Sequence, residues 1–285
     1  MTQSAPSQID KQEIKRIIKD FCLMDDIFMT TFFDGENEIT QYVLRILLDK
    51  TDLIVIESKS QLNIANLYGR GGRLDILAKD STGSLFDIEI QRLDSGAGQK
   101  RARFNSALID TRFLKAGEST EKLPETYVIF ITENDVLNGG KPIYHIDRII
   151  RETAMPFLDE SHIIYVNNSY RENDSIGNLM HDFACKNAND MKSNLLAKRA
   201  KYLKENEMEV QTMSSAFEQY FNKRQAEWRA AGIAEGKAEG KAEAAADLIV
   251  AGRMAEEEVS VIFKFTPAQM EMVRTICKQK RENAL

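Results

Sequence analysis

Asp75, Glu89 and Gln91 are the residues of this chain whose types and spacing can do chemistry, and they fall in one stretch, RLDILAKDSTGSLFDIEIQ, residues 73–91. Leu74, Ile76 and Ala78 alternate with Arg73, Asp75 and Lys79, and residues 85–91 alternate apolar with polar in the same way. Alternation of period two predicts a pair of strands. Between them lies Asp80-Ser81-Thr82-Gly83-Ser84, where Gly83 can take the positive φ that ends a three-residue hairpin loop. Pairing Asp80 with Ser84 sets Asp75 directly opposite Glu89, with Cβ atoms roughly 4.5–5.5 Å apart. Gln91, two residues past Glu89, projects from the same face. Two carboxylates side by side repel, and at least one pKa rises unless a cation neutralises them. Oxygen ligands of this kind suit Mg²⁺ or Mn²⁺. The same alternation also fits a solvated hairpin whose outer face is acidic.

The neighbouring elements must hold that face in place. In ENEITQYVLRILLDK (36–50), Ile39, Tyr42, Val43, Ile46 and Leu47 form a helical stripe, with Asp34 as its cap and Glu38 beside the stripe. Residues 52–57 predict a short buried strand, followed by a long loop to Arg70-Gly71-Gly72-Arg73. After the hairpin, GAGQKRARFNSALIDTRFLK (96–115) predicts a helix with Phe104, Ala107, Leu108 and Thr111 inward. Over 97–115, Lys100, Arg101, Arg103, Arg112 and Lys115 stand against one acid, Asp110. A cationic helix beside carboxylates suits contact with a phosphate backbone, and Arg73, Lys100, Arg101 and Arg103 are the candidate contacts. Further strands are expected at 127–131, 143–147 and 162–166, with a turn at Asn138-Gly139-Gly140.

Composition limits the remaining classes. The 285 residues are 43% apolar, enough for a sizeable core, and the formal net charge is −6. A chain of that balance is not basic throughout, so any DNA contact is local or passes through metal ions. Cys22, Cys185 and Cys277 show no CxxC spacing, and His145, His162 and His181 form no HExxH pair. This argues against a disulfide framework and a zinc cluster, and for a cytoplasmic protein. No run approaches a membrane span or a signal-peptide core.

The pattern Asp75…Glu89-x-Gln91, on a hairpin followed by a basic helix, resembles the PD-(D/E)XK nuclease superfamily. More closely, it resembles the recombination-promoting nuclease branch, in which Gln commonly replaces the superfamily's Lys. The aromatic segment at 25–33 and residues 126–185 are similar to the same family, so the resemblance covers roughly 22–190. It implies an α/β, restriction-endonuclease-like αβββαβ core with a mixed central sheet. It also implies a metal-dependent DNA endonuclease, linked to recombination or mobile elements, in which Asp75 and Glu89 bind Mg²⁺ or Mn²⁺ and Gln91 orients water or substrate. In many such nucleases an acid of the first core helix approaches the metal, and Glu38 is the candidate here; a carboxylate that stabilises the helix N-terminus is the alternative. Arg101 and Arg103 match the basic-then-aromatic start of the family's helix. A neutral Gln91 cannot lend the positive charge of a Lys. A nuclease-like protein that binds DNA or assembles partners without cutting, and a nuclease acting on RNA, are the other readings.

Flanking this domain, residues 1–21 predict a tail and an entry helix carrying Ile14, Ile17, Ile18 and Phe21. Residues 191–285 predict a helical extension: Phe217, Phe221 and Trp228 supply packing, and Gly232, Gly236 and Gly240 space a connector. A helix pair closes it at 256–263 and from Thr266-Pro267, the latter with the signature of a capping box. This extension is expected to pack on the nuclease-like domain or on another subunit, and in the second case it is the route to a homo-oligomer.

Overall fold

The computed structural model describes residues 11–64 and 71–282, with the side chains of 11, 223–235 and 281 excepted. The expected tail at 1–10, Arg70 and the side chain of Trp228 lie outside the described residues. In chain order the elements are α1 (Lys11–Lys19), α2 (Asp26–Phe33), α3 (Asn37–Leu48), β1 (Val55–Ile64), β2 (Gly72–Asp80) and β3 (Leu85–Gln91). There follow α4 (Gln99–Phe113), β4 (Thr126–Thr132), β5 (Ile143–Ile146), β6 (Ile149–Ile150), β7 (Met155–Pro156) and β8 (Ser161–Asn167). The helices α5 (Ser175–Ala184), α6 (Asn194–Glu205), α7 (Glu207–Val250), α8 (Glu256–Phe263) and α9 (Pro267–Glu282) complete the chain.

Six strands form one mixed sheet in the order β1-β2-β3-β4-β8-β5. β1, β2 and β3 are antiparallel neighbours, β3, β4 and β8 run parallel, and β5 returns antiparallel to β8. Parallel strands need a crossover, and α4 supplies it between β3 and β4. Both faces of the sheet are covered. Phe86, Ile88 and Ile90 of β3 and Ile129 and Ile131 of β4 join Phe28, Phe32, Val43 and Leu47 of α2 and α3 in one core. Val128 and Phe130 meet Ala102, Leu108 and Ile109 of α4 in the other. A central strand covered on both faces has no solvent side, and β3 is buried from Leu85 to Ile90.

Several local expectations change once packing is seen. β1 runs from Val55 to Ile64, well past the short strand expected at 52–57, and it is an edge strand with Ile56 half exposed. Its polar run 57–63 reads as loop because an edge strand keeps one side wet. Asp34 does not cap α3: Glu36 stands at that position, and Asp34 instead accepts hydrogen bonds from Ser60 N–H and Oγ at 3.0 and 2.9 Å. In α4 the buried residues are Ala102, Asn105, Ser106, Leu108 and Ile109, whereas Ala107 and Thr111 are exposed. The inward face of α4 is partly polar because it lies on the acidic face of β3.

The chain divides into two compact units, 1–217 and 218–285. Leu196, Ala200, Leu203 and Met213 belong to the core of the first unit, so its packing extends past the sequence boundary drawn at 190. In the second unit, Ala242, Ala245, Ala246, Val259, Met270 and Val273 form a small core of their own. Its last helix begins with the expected reciprocal cap: Thr266 N–H donates to Gln269 Oε1 at 2.9 Å and Gln269 N–H to Thr266 Oγ1 at 3.4 Å.

Candidate active site

The β2–β3 hairpin follows the predicted register, Ile76 opposite Ile88 and Leu77 opposite Asp87, around a loop in which Gly83 has φ +101°. Asp80 Oδ1 fastens that loop by accepting from the N–H groups of Thr82, Gly83 and Ser84. Asp75 and Glu89 stand one step past the last ladder pair. There side chains replace backbone pairing. Asp75 Oδ2 accepts from Ile90 N–H at 3.1 Å, and Glu89 Oε1 accepts from Asp75 N–H at 3.3 Å. The carboxylates thus sit where the strands part, each held by the backbone of the other strand.

Gln91 ties the pair together. Its Nε2 donates to Asp75 Oδ2 and to Glu89 Oε2, both at 3.3 Å, and its Oε1 accepts from Arg101 Nη1 at 3.2 Å. Arg101, on the first turn of α4, also pairs through Nη2 with Glu89 Oε2 and donates to the Gly96 carbonyl at 2.9 Å. Gly96 is the residue of this shell that the sequence reading did not single out. A Cβ there stands 2.2 Å from Gln91 Oε1, so only glycine leaves the amide its place.

The acidic face is buried, contrary to a solvated hairpin. Glu89 and Asp87 are 0% exposed and Asp75 is 7% exposed. Burial, followed by the charge of Asp75 and opposed by Arg101, pushes Glu89 up to about 7. Asp75 rises to about 6, through burial first and with a further contribution from Asp26, while the Ile90 N–H and Arg101 pull it down. Asp87, a third acid that the sequence reading passed over, is raised well above the usual carboxylate range by burial and by Glu89. Its Oδ2 accepts from Asn105 Nδ2 at 2.9 Å, and its Oδ1 has no hydrogen-bond partner.

The sequence candidates separate in space. Arg73, Asp75, Lys100 and Arg101 line one cleft of about 640 Å³, together with Phe104 and Asn105. Arg103 is exposed and is not part of that lining. Glu38 is exposed and lines a different pocket, with Glu36, Leu195 and Arg199. The structure therefore does not bring Glu38 to the carboxylate pair. The acid whose charge reaches Asp75 from a helix is Asp26, in the first turn of α2, where it also pairs with Arg73 at 3.8 Å. Its signal lay in the acidic-aromatic segment at 25–33, one helix earlier than the expected position.

Among the described residues no cluster of three or more His, Cys, Asp or Glu makes a ready metal centre. The donors on offer are two neighbouring carboxylates: Asp75 lines the cleft, and Glu89, fully buried, lies behind it and is tied to Asp75 through Gln91. That set fits a hard divalent cation, which typically binds through one or two carboxylates.

A mixed sheet covered by helices on both faces, with an acidic pair where a hairpin parts and a cationic helix over it, defines a nuclease-like α/β protein. The family described as PD-(D/E)XK nuclease family transposase matches residues 23–239, and the chain belongs to that family. No curated protein and no solved structure matches it. No helix among the described residues is long and apolar enough to cross a membrane.

Proposed function

We propose that this chain is a metal-dependent DNA endonuclease, with Asp75 and Glu89 holding Mg²⁺ or Mn²⁺. The observation that carries this reading is the buried carboxylate pair, bridged by Gln91 and raised in pKa, whose Asp75 member lines a cleft that also presents Arg73, Lys100 and Arg101. A bound divalent ion supplies positive charge against the scissile phosphate and lowers the pKa of the attacking water. Gln91 keeps the two carboxylates oriented toward one point and adds no charge of its own. Arg101 shares its guanidinium between Glu89, Gln91 and the Gly96 carbonyl, which leaves it fixed in the cleft as an electrostatic partner for phosphate. Lys100 and Arg73 extend that positive lining along the backbone of the nucleic acid. Asp26 adds a negative charge near Asp75 and strengthens its demand for a cation.

The ion pair between Arg101 and Glu89 favours a second reading, a nuclease-like DNA-binding protein with weak chemistry, because the arginine occupies a ligand oxygen. Incubation of supercoiled plasmid DNA and of RNA with Mg²⁺, Mn²⁺ or EDTA separates the readings. Metal-dependent nicking of DNA supports the endonuclease. DNA binding with no cutting in either metal supports the second reading.

A further inference from the structure

Between β5 and β8 the chain leaves the sheet as a two-stranded ribbon, β6 and β7, in which Ile149 pairs with Pro156 and Ile150 with Met155. Every residue from 145 to 160 is exposed. Yet the stretch is rich in large apolar side chains: Ile149 is 61% exposed, Met155 60%, Phe157 57% and Leu158 84%, with Ile146 and Ile150 also bare. An isolated two-stranded ribbon is marginal in water, and it is sustained by burial of its side chains. This ribbon leaves much of that apolar surface uncovered by its own chain, and among the described residues no third strand joins it. We propose that it is the interface through which two copies of this chain form a twofold dimer. The inference goes beyond the nuclease reading and does not depend on it.

Area points to a second copy, and charge disfavours a nucleic acid or an anionic lipid. The six apolar residues together expose on the order of 600 Å², spread over both faces of the ribbon, as much as the largest patch on an ordinary monomer. With a polar rim they reach the roughly 800 Å² that each partner of a stable complex contributes. The segment 145–160 carries Asp147, Glu152, Asp159 and Glu160 against Arg148 and Arg151. That excess of acid repels a phosphate backbone or an anionic lipid surface. Both signs are present around the apolar residues, and a twofold axis allows Arg151 of one copy to meet an acid of the other. Arg151 and Glu152 are adjacent at the turn, and Arg148 already pairs with Asp159 across the ribbon. The unpaired outer edges of β6 and β7 also allow two ribbons to join into a four-stranded sheet.

The ribbon is anchored at the far end of the sheet from the carboxylates. It returns into β8 at Ser161, level with Thr126 and Leu85, whereas Glu89 is level with Phe130 and Tyr165. Four residues of strand separate those levels, about 13 Å. His162 fixes the base, with Nδ1 2.6 Å from Asp147 Oδ1 and its ring stacked on Tyr127 at 4.6 Å. Pairing of ribbons therefore leaves both clefts open.

Sedimentation velocity of the full chain over a wide concentration series tests the proposal. The parent is expected to be a dimer, and Met155→Glu or Phe157→Glu, both at exposed positions, to raise the dissociation constant by at least about 100-fold with unchanged circular dichroism. Val261→Glu, at an exposed site in the second unit, is expected to leave the dimer intact. A parent that is monomeric throughout, a dimer that ignores both ribbon variants, or one that Val261→Glu dissolves overturns the proposal. So does a monomeric parent that binds DNA or lipid vesicles in a way Phe157→Glu abolishes.

Discussion

Replacing Asp75 by asparagine is expected to make the metal-free protein more stable at pH 8 while removing its capacity to bind a divalent ion. The folded environment raises the Asp75 carboxyl from 3.8 to about 6. Such a group costs nothing below its unfolded pKa. Its cost grows as pH rises through the interval between the two values and is complete above the folded one. At roughly 1.4 kcal/mol per pH unit, the full cost at pH 8 is at most about 3 kcal/mol. The asparagine side chain keeps an oxygen for the Ile90 N–H and relieves Glu89 of a neighbouring charge, but it gives a weaker acceptor. A net gain of about 1–3 kcal/mol follows at pH 8, falling to roughly half at pH 5. Urea unfolding in EDTA, followed by far-ultraviolet circular dichroism at both pH values, measures it. Millimolar Mg²⁺ should then stabilise the parent and not the variant. A variant less stable than the parent at pH 8, or a gain that does not change with pH, would refute the claim that these carboxylates are held against their own charge.

Three other outcomes follow from the same geometry. Gly96→Ala drives a methyl into Gln91 Oε1 and should lower cleavage at least about tenfold with melting temperature nearly unchanged, which single-turnover kinetics will show. Arg101→Ala removes the cation that lowers Glu89, so the pH dependence of cleavage should move to more alkaline values, and the salt slope of DNA binding should flatten by about one ion; Arg103→Ala, outside the cleft lining, should change that slope less. A chain ended at residue 190 loses Leu196, Ala200 and Leu203 from the main core and should express as insoluble protein, whereas the sequence boundary alone expects a folded fragment.

What the sequence reveals and hides divides along physical lines. The β2–β3 register is legible because strict alternation and a glycine at the loop's positive-φ position leave a single pairing. The stripe of α3 is legible for the same reason, since Ile39, Val43 and Leu47 share one helical face and are buried. Alternation tells which residues share a face and not what covers it. The face of Asp87 and Glu89 therefore fits a wet hairpin as well as a covered site, and only the placement of α4 over it shows that they are buried. Asp26 and Glu38 each sit in the first turn of a short helix after a cap, and nothing in spacing says which helix end approaches β2. The ribbon at 149–156 escapes because its paired segments are two residues long, too short for any period to show.

The central claim is that Asp75 and Glu89 hold the ion on which cleavage depends. The most direct measurement is single-turnover cleavage of plasmid DNA by the parent, Asp75→Asn and Glu89→Gln across a Mg²⁺ series, with each protein's folding confirmed by circular dichroism. The account predicts a parental rate that saturates with Mg²⁺ and vanishes in EDTA, and a loss of about 100-fold or more in each folded variant at every Mg²⁺ concentration. A folded variant that cuts as fast as the parent, or cleavage that survives EDTA, contradicts it.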